Sequence, residues 1–186
     1  GGAIVSDVTV ETIAGDGTAG DAVGPGSTAQ FNEPDGVTVD IVGSEEVVYI
    51  TDMGNHDVKV IAEDGEVALV AGTGTSGLTD GPAEAEQFSS PDGITTDSDG
   101  NIYVADTGNN AIRKIDAITN EVTTIAGSGP DAAGSADGNG VNAEFNGPTG
   151  ITIDTSGNLY VADQGNDTIR KITTDNEVTT IVGLAG

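Results

Sequence analysis

GNIYVADTGNNAIRKI at residues 100–115 and GNLYVADQGNDTIRKI at residues 157–172 are two copies of one text, and their recurrence decides the architecture. The match runs from Pro91 to Ile115 and from Pro148 to Ile172, with 17 of 25 positions identical. A more divergent copy, VYITDMGNHDVKVI, occupies 48–61. Working outward, Phe31, Phe88 and Phe145 recur every 57 residues, and so do Pro34, Pro91 and Pro148. Tyr49, Tyr103 and Tyr160 follow at intervals of 54 and 57. These six are all the aromatic residues of the 186-residue chain, so each serves the repeat.

Within one unit the text predicts four short strands. Gly93 to Asp97 forms a first strand, Ser98-Asp99-Gly100-Asn101 a hairpin turn of the Asp-Gly kind, and Ile102 to Asp106 a second strand. After the turn Thr107-Gly108-Asn109-Asn110 comes a third strand, Ala111 to Ile115, and Glu121 to Ala126 makes the fourth. Of 39 Leu, Ile and Val residues 35 are β-branched, which suits pleated sheet. No segment sustains a 3.6-residue period. The expectation is all-β: four-stranded antiparallel meanders, each the blade of a β-propeller. Blade 1 is placed at about 34–71, blade 2 at about 91–126 and blade 3 at about 148–182, all within one unit spanning 1–186, with an extra outer strand at 8–13.

Long connections join the units: Gly15 to Pro34, Gly72 to Pro91 and Gly127 to Pro148, of 20, 20 and 22 residues. Each ends with a Phe three residues before the Pro, which reads as an anchor for the loop. DGPAEAEQF (80–88) has the makings of one helical turn capped by Asp80. In a meander these long loops and the turns after the second strands emerge on one face. The hairpins between first and second strands emerge on the other.

The recurring sixteen-residue pattern, with VTTIAGSG before the loop and AEFNGPTGITID after it, resembles the NHL repeat in its long-loop bacterial form of about 57 residues. The resemblance implies a six-bladed propeller, most often a binding platform, with some metal-dependent enzymes among its relatives. Copy one departs from the pattern, with His56-Asp57-Val58-Lys59 in place of the Ile-Arg-Lys-Ile form and a three-residue insertion in its first hairpin.

Charge and composition narrow the function. Thirty-one acids face five Lys and Arg, a net charge of −26, which repels nucleic acid phosphates and anionic bilayers. There is no run of 18 apolar residues to cross a membrane and no cysteine for disulfide or zinc. The acids are spread along the whole chain, as in adaptation to high salt; divalent-cation binding and plain solvation are the competing explanations. A secreted or cell-surface location is favoured over cytoplasm. The chain opens Gly1-Gly2 and shows no signal segment.

Sites of chemistry are sparse. GDGTAG (15–20) and GTGTSG (72–77) match a dinucleotide fingerprint, but neither opens a helix, so both read as loop glycines. His56 is the lone histidine and shares its repeat position with Asn110 and Asp167, which marks a polar turn residue rather than a catalytic base. Asp52, Asp106 and Asp163 close the second strands, and Asn55, Asn109 and Asn166 follow three residues later. As short polar side chains they suit their own turns; with His56 they are also the candidate ligand-binding groups of the long-loop face. Asp35 and Asp92 open the innermost strands and are the candidate metal ligands, with Ca²⁺ the cation their oxygens suit. Asp97-Ser-Asp99-Gly-Asn101 resembles the start of a calcium loop, but a hairpin turn explains it. Arg113, Lys114, Arg170, Lys171 and Lys59 are expected to form exposed local ion pairs of about 0–1 kcal/mol each.

The expected function is a non-enzymatic propeller scaffold, without cofactor, binding a protein or small molecule through the long-loop face. The alternatives are a metal-dependent propeller enzyme of lyase or lactonase type with a cation in its channel, and a structural repeat segment of a larger surface protein. Three blades cannot close a ring, so a homodimer closing a six-bladed ring is the expected assembly.

Overall fold

A computed structural model describes residues 9–183. Its three sheets are antiparallel and alike. In blade 1, β2 (Pro34–Val42), β3 (Glu45–Asp52), β4 (Asp57–Ile61) and β5 (Glu66–Ala71) form the meander, and β1 (Gly24–Pro25) adds a fifth, two-residue strand beside β5. Blade 2 consists of β6 (Gly81–Pro82), β7 (Pro91–Thr96), β8 (Ile102–Asp106), β9 (Ala111–Ile115) and β10 (Glu121–Ala126). Blade 3 consists of β11 (Gly138–Asn139), β12 (Pro148–Ile153), β13 (Leu159–Asp163), β14 (Thr168–Ile172) and β15 (Glu177–Val182). The three sheets share one order, in which the fifth strand comes from the long loop of the same blade. A two-residue strand with Gly and Pro carries no hydrophobic pattern, which is why the sequence does not announce it.

Two details correct the sequence reading. Residues 9–13, expected within an outer strand at 8–13, carry no strand, and Val8 lies outside the described residues. Within 80–88, Gly81–Pro82 is strand β6 and Ala83–Ala85 make a single turn in which the Ala85 and Glu86 amides donate to Pro82 O, but Asp80 does not cap it: its carboxylate accepts from Arg113 and from the Thr124 amide.

The core lies between blades. Val58 and Ala71 of blade 1 pack on Phe88, Ile94, Ile102 and Val104 of blade 2. Ala105, Ile112 and Ala126 of blade 2 pack on Phe145, Leu159, Val161 and Ile172 of blade 3. Each fully buried Val, Ile or Phe is worth about 1.5–3 kcal/mol, so stacking of sheets supplies the main cohesion. The inner strands approach closely where glycine permits it. A Cβ on Gly36 would lie 2.2 Å from Asp92 O, and one on Gly93 2.4 Å from Thr149 O.

Candidate functional site

The turn after each second strand is a single 3₁₀ turn: Met53–Asn55, Thr107–Asn109 and Gln164–Asn166. Each ends on a left-handed residue, His56 (φ 57°), Asn110 (φ 50°) and Asp167 (φ 54°). Asn, Asp and His are the non-glycine residues that visit this region most readily, which accounts for the choice at that position. His56 Nδ1 accepts the Ser90 amide at 3.0 Å and Asn110 Oδ1 the Gly147 amide at 2.8 Å, so this position ties one blade to the next.

The strand-closing aspartates face inward. Asp52, Asp106 and Asp163 are fully buried. Asp106 accepts the Ser89 amide at 2.7 Å on Oδ1, and Asn109 Nδ2 at 2.7 Å and Arg113 at 2.8 Å on Oδ2. Asp163 does the same with the Asn146 amide, Asn166 and Arg170, and Asp52 with the Asn32 amide, Asn55 and Lys59. Each asparagine also donates to a carbonyl of its long loop: Asn55 to Gly20 at 2.7 Å, Asn109 to Gly77 at 2.6 Å and Asn166 to Gly134 at 2.7 Å. Burial pushes the Asp106 carboxyl up, against the pull of Asn109, the Ser89 amide and Arg113.

Of the five basic residues expected in exposed pairs, Lys114 makes one, with Asp116 at 3.2 Å, but three others do not. Lys59, Arg113 and Arg170 are fully buried, not exposed. Arg113 donates to Asp106 and Gln87 O through Nη1, and to Thr79 O and Asp80 through Nη2, at 2.8–2.9 Å. Its guanidinium lies 5.1 Å from the Phe88 ring centre. Arg170 repeats this with Asp163, Glu144 O, Ala136 O and Asp137, 4.9 Å from Phe145. Asp80 and Asp137 in turn accept the amides of Thr124 and Thr180 in the outermost meander strands. Each long loop is thus clamped to its own sheet by one buried cation, one buried Asp, one Asn and the anchoring Phe. The spacing Asp, then Asn at +3 and the cation at +7, three times over, was the available signal; strand alternation alone does not reveal that a loop covers that face.

Blade 1 varies the clamp. Lys59 Nζ meets Asp52 at 2.5 Å, Asp21 at 2.7 Å and Asp57 at 3.7 Å. These carboxylates are the one cluster of three acids of metal-ligand spacing among the described residues, and the ammonium supplies their positive charge. Burial pulls Lys59 down, but Asp21 and Asp52 hold it above its ordinary value. Burial pushes Asp57 up to about 8, with Asp21 and Asp52 adding to the rise against Lys59.

Asp35 is exposed and Asp92 half-buried, on the inner strands β2 and β7. Burial raises Asp92, and the nearby charge of Asp35 raises it further. The third blade has Thr149 at this position. In the calcium-like stretch, Asp97 accepts the amides of Asp99 and Asn101, Asn101 Nδ2 and the Tyr103 hydroxyl. Those oxygens serve the hairpin. On this opposite face a groove of 520 Å³, not expected from the sequence, opens between the hairpins of blades 2 and 3, beside Asp97, Tyr103, Lys114 and Ser156.

Repeated five-stranded sheets stacked about their inner strands define β-propeller blades. The family model for the NHL repeat matches residues 88–115 and 145–172, and the chain is an NHL-repeat propeller protein. It is 32% identical over 154 residues to Protein SUPPRESSOR OF QUENCHING 1, chloroplastic, of Arabidopsis thaliana, covering 78% of this chain and 14% of that protein. It is 41% identical over 108 residues to NHL repeat-containing protein 2 of Gallus gallus, covering 56% and 14%. A structural genomics protein of unknown function from Bacteroides thetaiotaomicron superposes with a TM-score of 0.68 at 32% identity, covering 77% of this chain and 34% of that one. An auxiliary nutrient binding protein from Bacteroides ovatus superposes with a TM-score of 0.59 at 24% identity over 73% and 35%, a likeness of fold alone.

Proposed function

We propose that this chain is part of a binding platform and that the ligand meets the long-loop face. One observation carries the reading: each loop is clamped by a fully buried cation that bonds both the loop's carbonyls and the aspartate closing the second strand. A loop so held keeps its shape when free, which lowers the entropy cost of binding. Variable loops on a rigid scaffold are where recognition usually sits. The Asp and Asn groups that recur in the three turns are consumed by this clamping, so the contacts fall to exposed loop residues such as Asp16, Ser76 and Asp131. With a net charge of −26 the surface favours cationic or neutral ligands over anionic ones.

The test is binding to an array of basic peptides and neutral glycans, run on the wild type, on a variant with loop residues 73–78 replaced by a Gly-Ser tract, and on Ser156→Arg in the opposite groove. Signals that vanish with the loop change and survive Ser156→Arg support the reading. Signals that survive the loop change and vanish with Ser156→Arg move the site to the groove and overturn it.

A further inference from the structure

The two ends of the blade stack present the two halves of one interface. On the side facing the next blade, Val58 and Ile112 are fully buried, while Ile169 at the same position of blade 3 is 36% exposed. Ala71 and Ala126 are fully buried, while Val182 in their place is 61% exposed. His56 and Asn110 each accept an amide from the following blade; among the described residues Asp167, their counterpart, accepts none. Gly36 and Gly93 are pressed against the next inner strand, whereas a Cβ on Gly150 would meet only Ala162 Cβ, at 3.8 Å. Blade 1 shows the complementary face. Val37 is 64% exposed where Ile94 is 6%, and Val39 and Ile41 continue the same side of β2 at 53% and 60%. The Glu33 amide, counterpart of the Ser90 and Gly147 amides, is free of any such bond among the described residues.

We infer that blade 3 of one copy stacks on blade 1 of a second copy, so that two chains close a ring and complete the long-loop face. The interface continues the one between blades within the chain. The Asp167 carboxylate accepts the Glu33 amide, Ile169 and Val182 cover Val37 and its neighbours, and the Asp35 carbonyl fills the space over Gly150. One place is contested. Ala14 packs on blade 1 where Ala71 and Ala126 pack on blades 2 and 3, and the second copy brings Val182 there. Residues 9–13 have no strand pairing, with Val10 95% and Ile13 57% exposed, so this segment yields and β15 keeps its pairing with β14. Two chains of −26 repel at long range, so association strengthens as salt screens them.

Light scattering after gel filtration, from about 0.1 to 2 M KCl, reads the outcome independently of any ligand. The expected result is a species of twice the 18.4 kDa chain mass, favoured by salt. The double variant Ile169→Asp, Val182→Asp alters residues already exposed in one copy; it is expected to keep the β-sheet circular dichroism signal and run as a monomer. Removal of residues 1–13 is expected to raise the dimer fraction. A monomer at every concentration and salt, a ladder of masses above the dimer, or a dimer indifferent to the double variant overturns the inference.

Discussion

Arg113→Ala tests the clamp on which the site depends. Arg113 is fully buried and makes four hydrogen bonds, two of them to carboxylates. Its removal leaves Asp106 buried with the Ser89 amide and Asn109 as its remaining donors. It also strips Gln87 O and Thr79 O of a partner. Removing one partner of a buried pair costs about 3–5 kcal/mol, because the other charge stays in the protein interior. Asp80 is about half exposed and rehydrates, so its share is small, about 0–1 kcal/mol. The expected loss is therefore about 3–5 kcal/mol, out of the ~5–15 kcal/mol by which a domain is stable. Guanidinium unfolding at pH 7 measures it. Repeat exchange sharpens the test. Arg113→Lys gives up the planar fork and is expected to lose about 1–3 kcal/mol. An Arg113→Ala cost under about 1 kcal/mol would refute the clamp.

Three further outcomes follow from particular residues. Glu86 is fully buried with neither carboxyl oxygen in a well-formed hydrogen bond, and Ala29 and Ala143 hold the same position in the other loops; Glu86→Ala is expected to stabilise by about 1 kcal/mol, since an unsatisfied buried polar group costs about 1–3, and a lower melting temperature in the variant would count against this. Asp57 has its folded-state pKa raised from the usual 3.8 to about 8, so between those values the folded state holds a proton that the unfolded state releases. Stability must then fall as pH rises through that window, by up to about 1.4 kcal/mol per unit. Asp57→Asn removes that contribution, and parallel stability profiles for variant and wild type from pH 5 to 8 would disprove it. If the acid excess is an adaptation to salt, the melting temperature rises steeply between dilute buffer and molar KCl as self-repulsion is screened; a flat response rejects that reading.

The repeats, the four-strand meander, the turn positions and the face on which the long loops emerge were all legible in the sequence. Each rests on local chemistry: β-branched runs, Asp-Gly hairpins and Asx turns repeat with the text that encodes them. The anchoring role of Phe31, Phe88 and Phe145 was legible too, since an aromatic fixed at every loop end has a structural reason. What Lys59, Arg113 and Arg170 do was decided by tertiary structure. Arg113 lies in a strand whose alternation leaves its face open, and only the loop folding back over that face turns a solvent-facing cation into a buried one. For the same reason Asp52, Asp106 and Asp163, candidate ligand-binding groups of the long-loop face, are internal: the loop amides and cations that fill those oxygens come from 17 to 20 residues upstream and seven residues downstream. Local patterning fixes a strand's conformation; which face of it meets water depends on distant segments that the pattern does not mention.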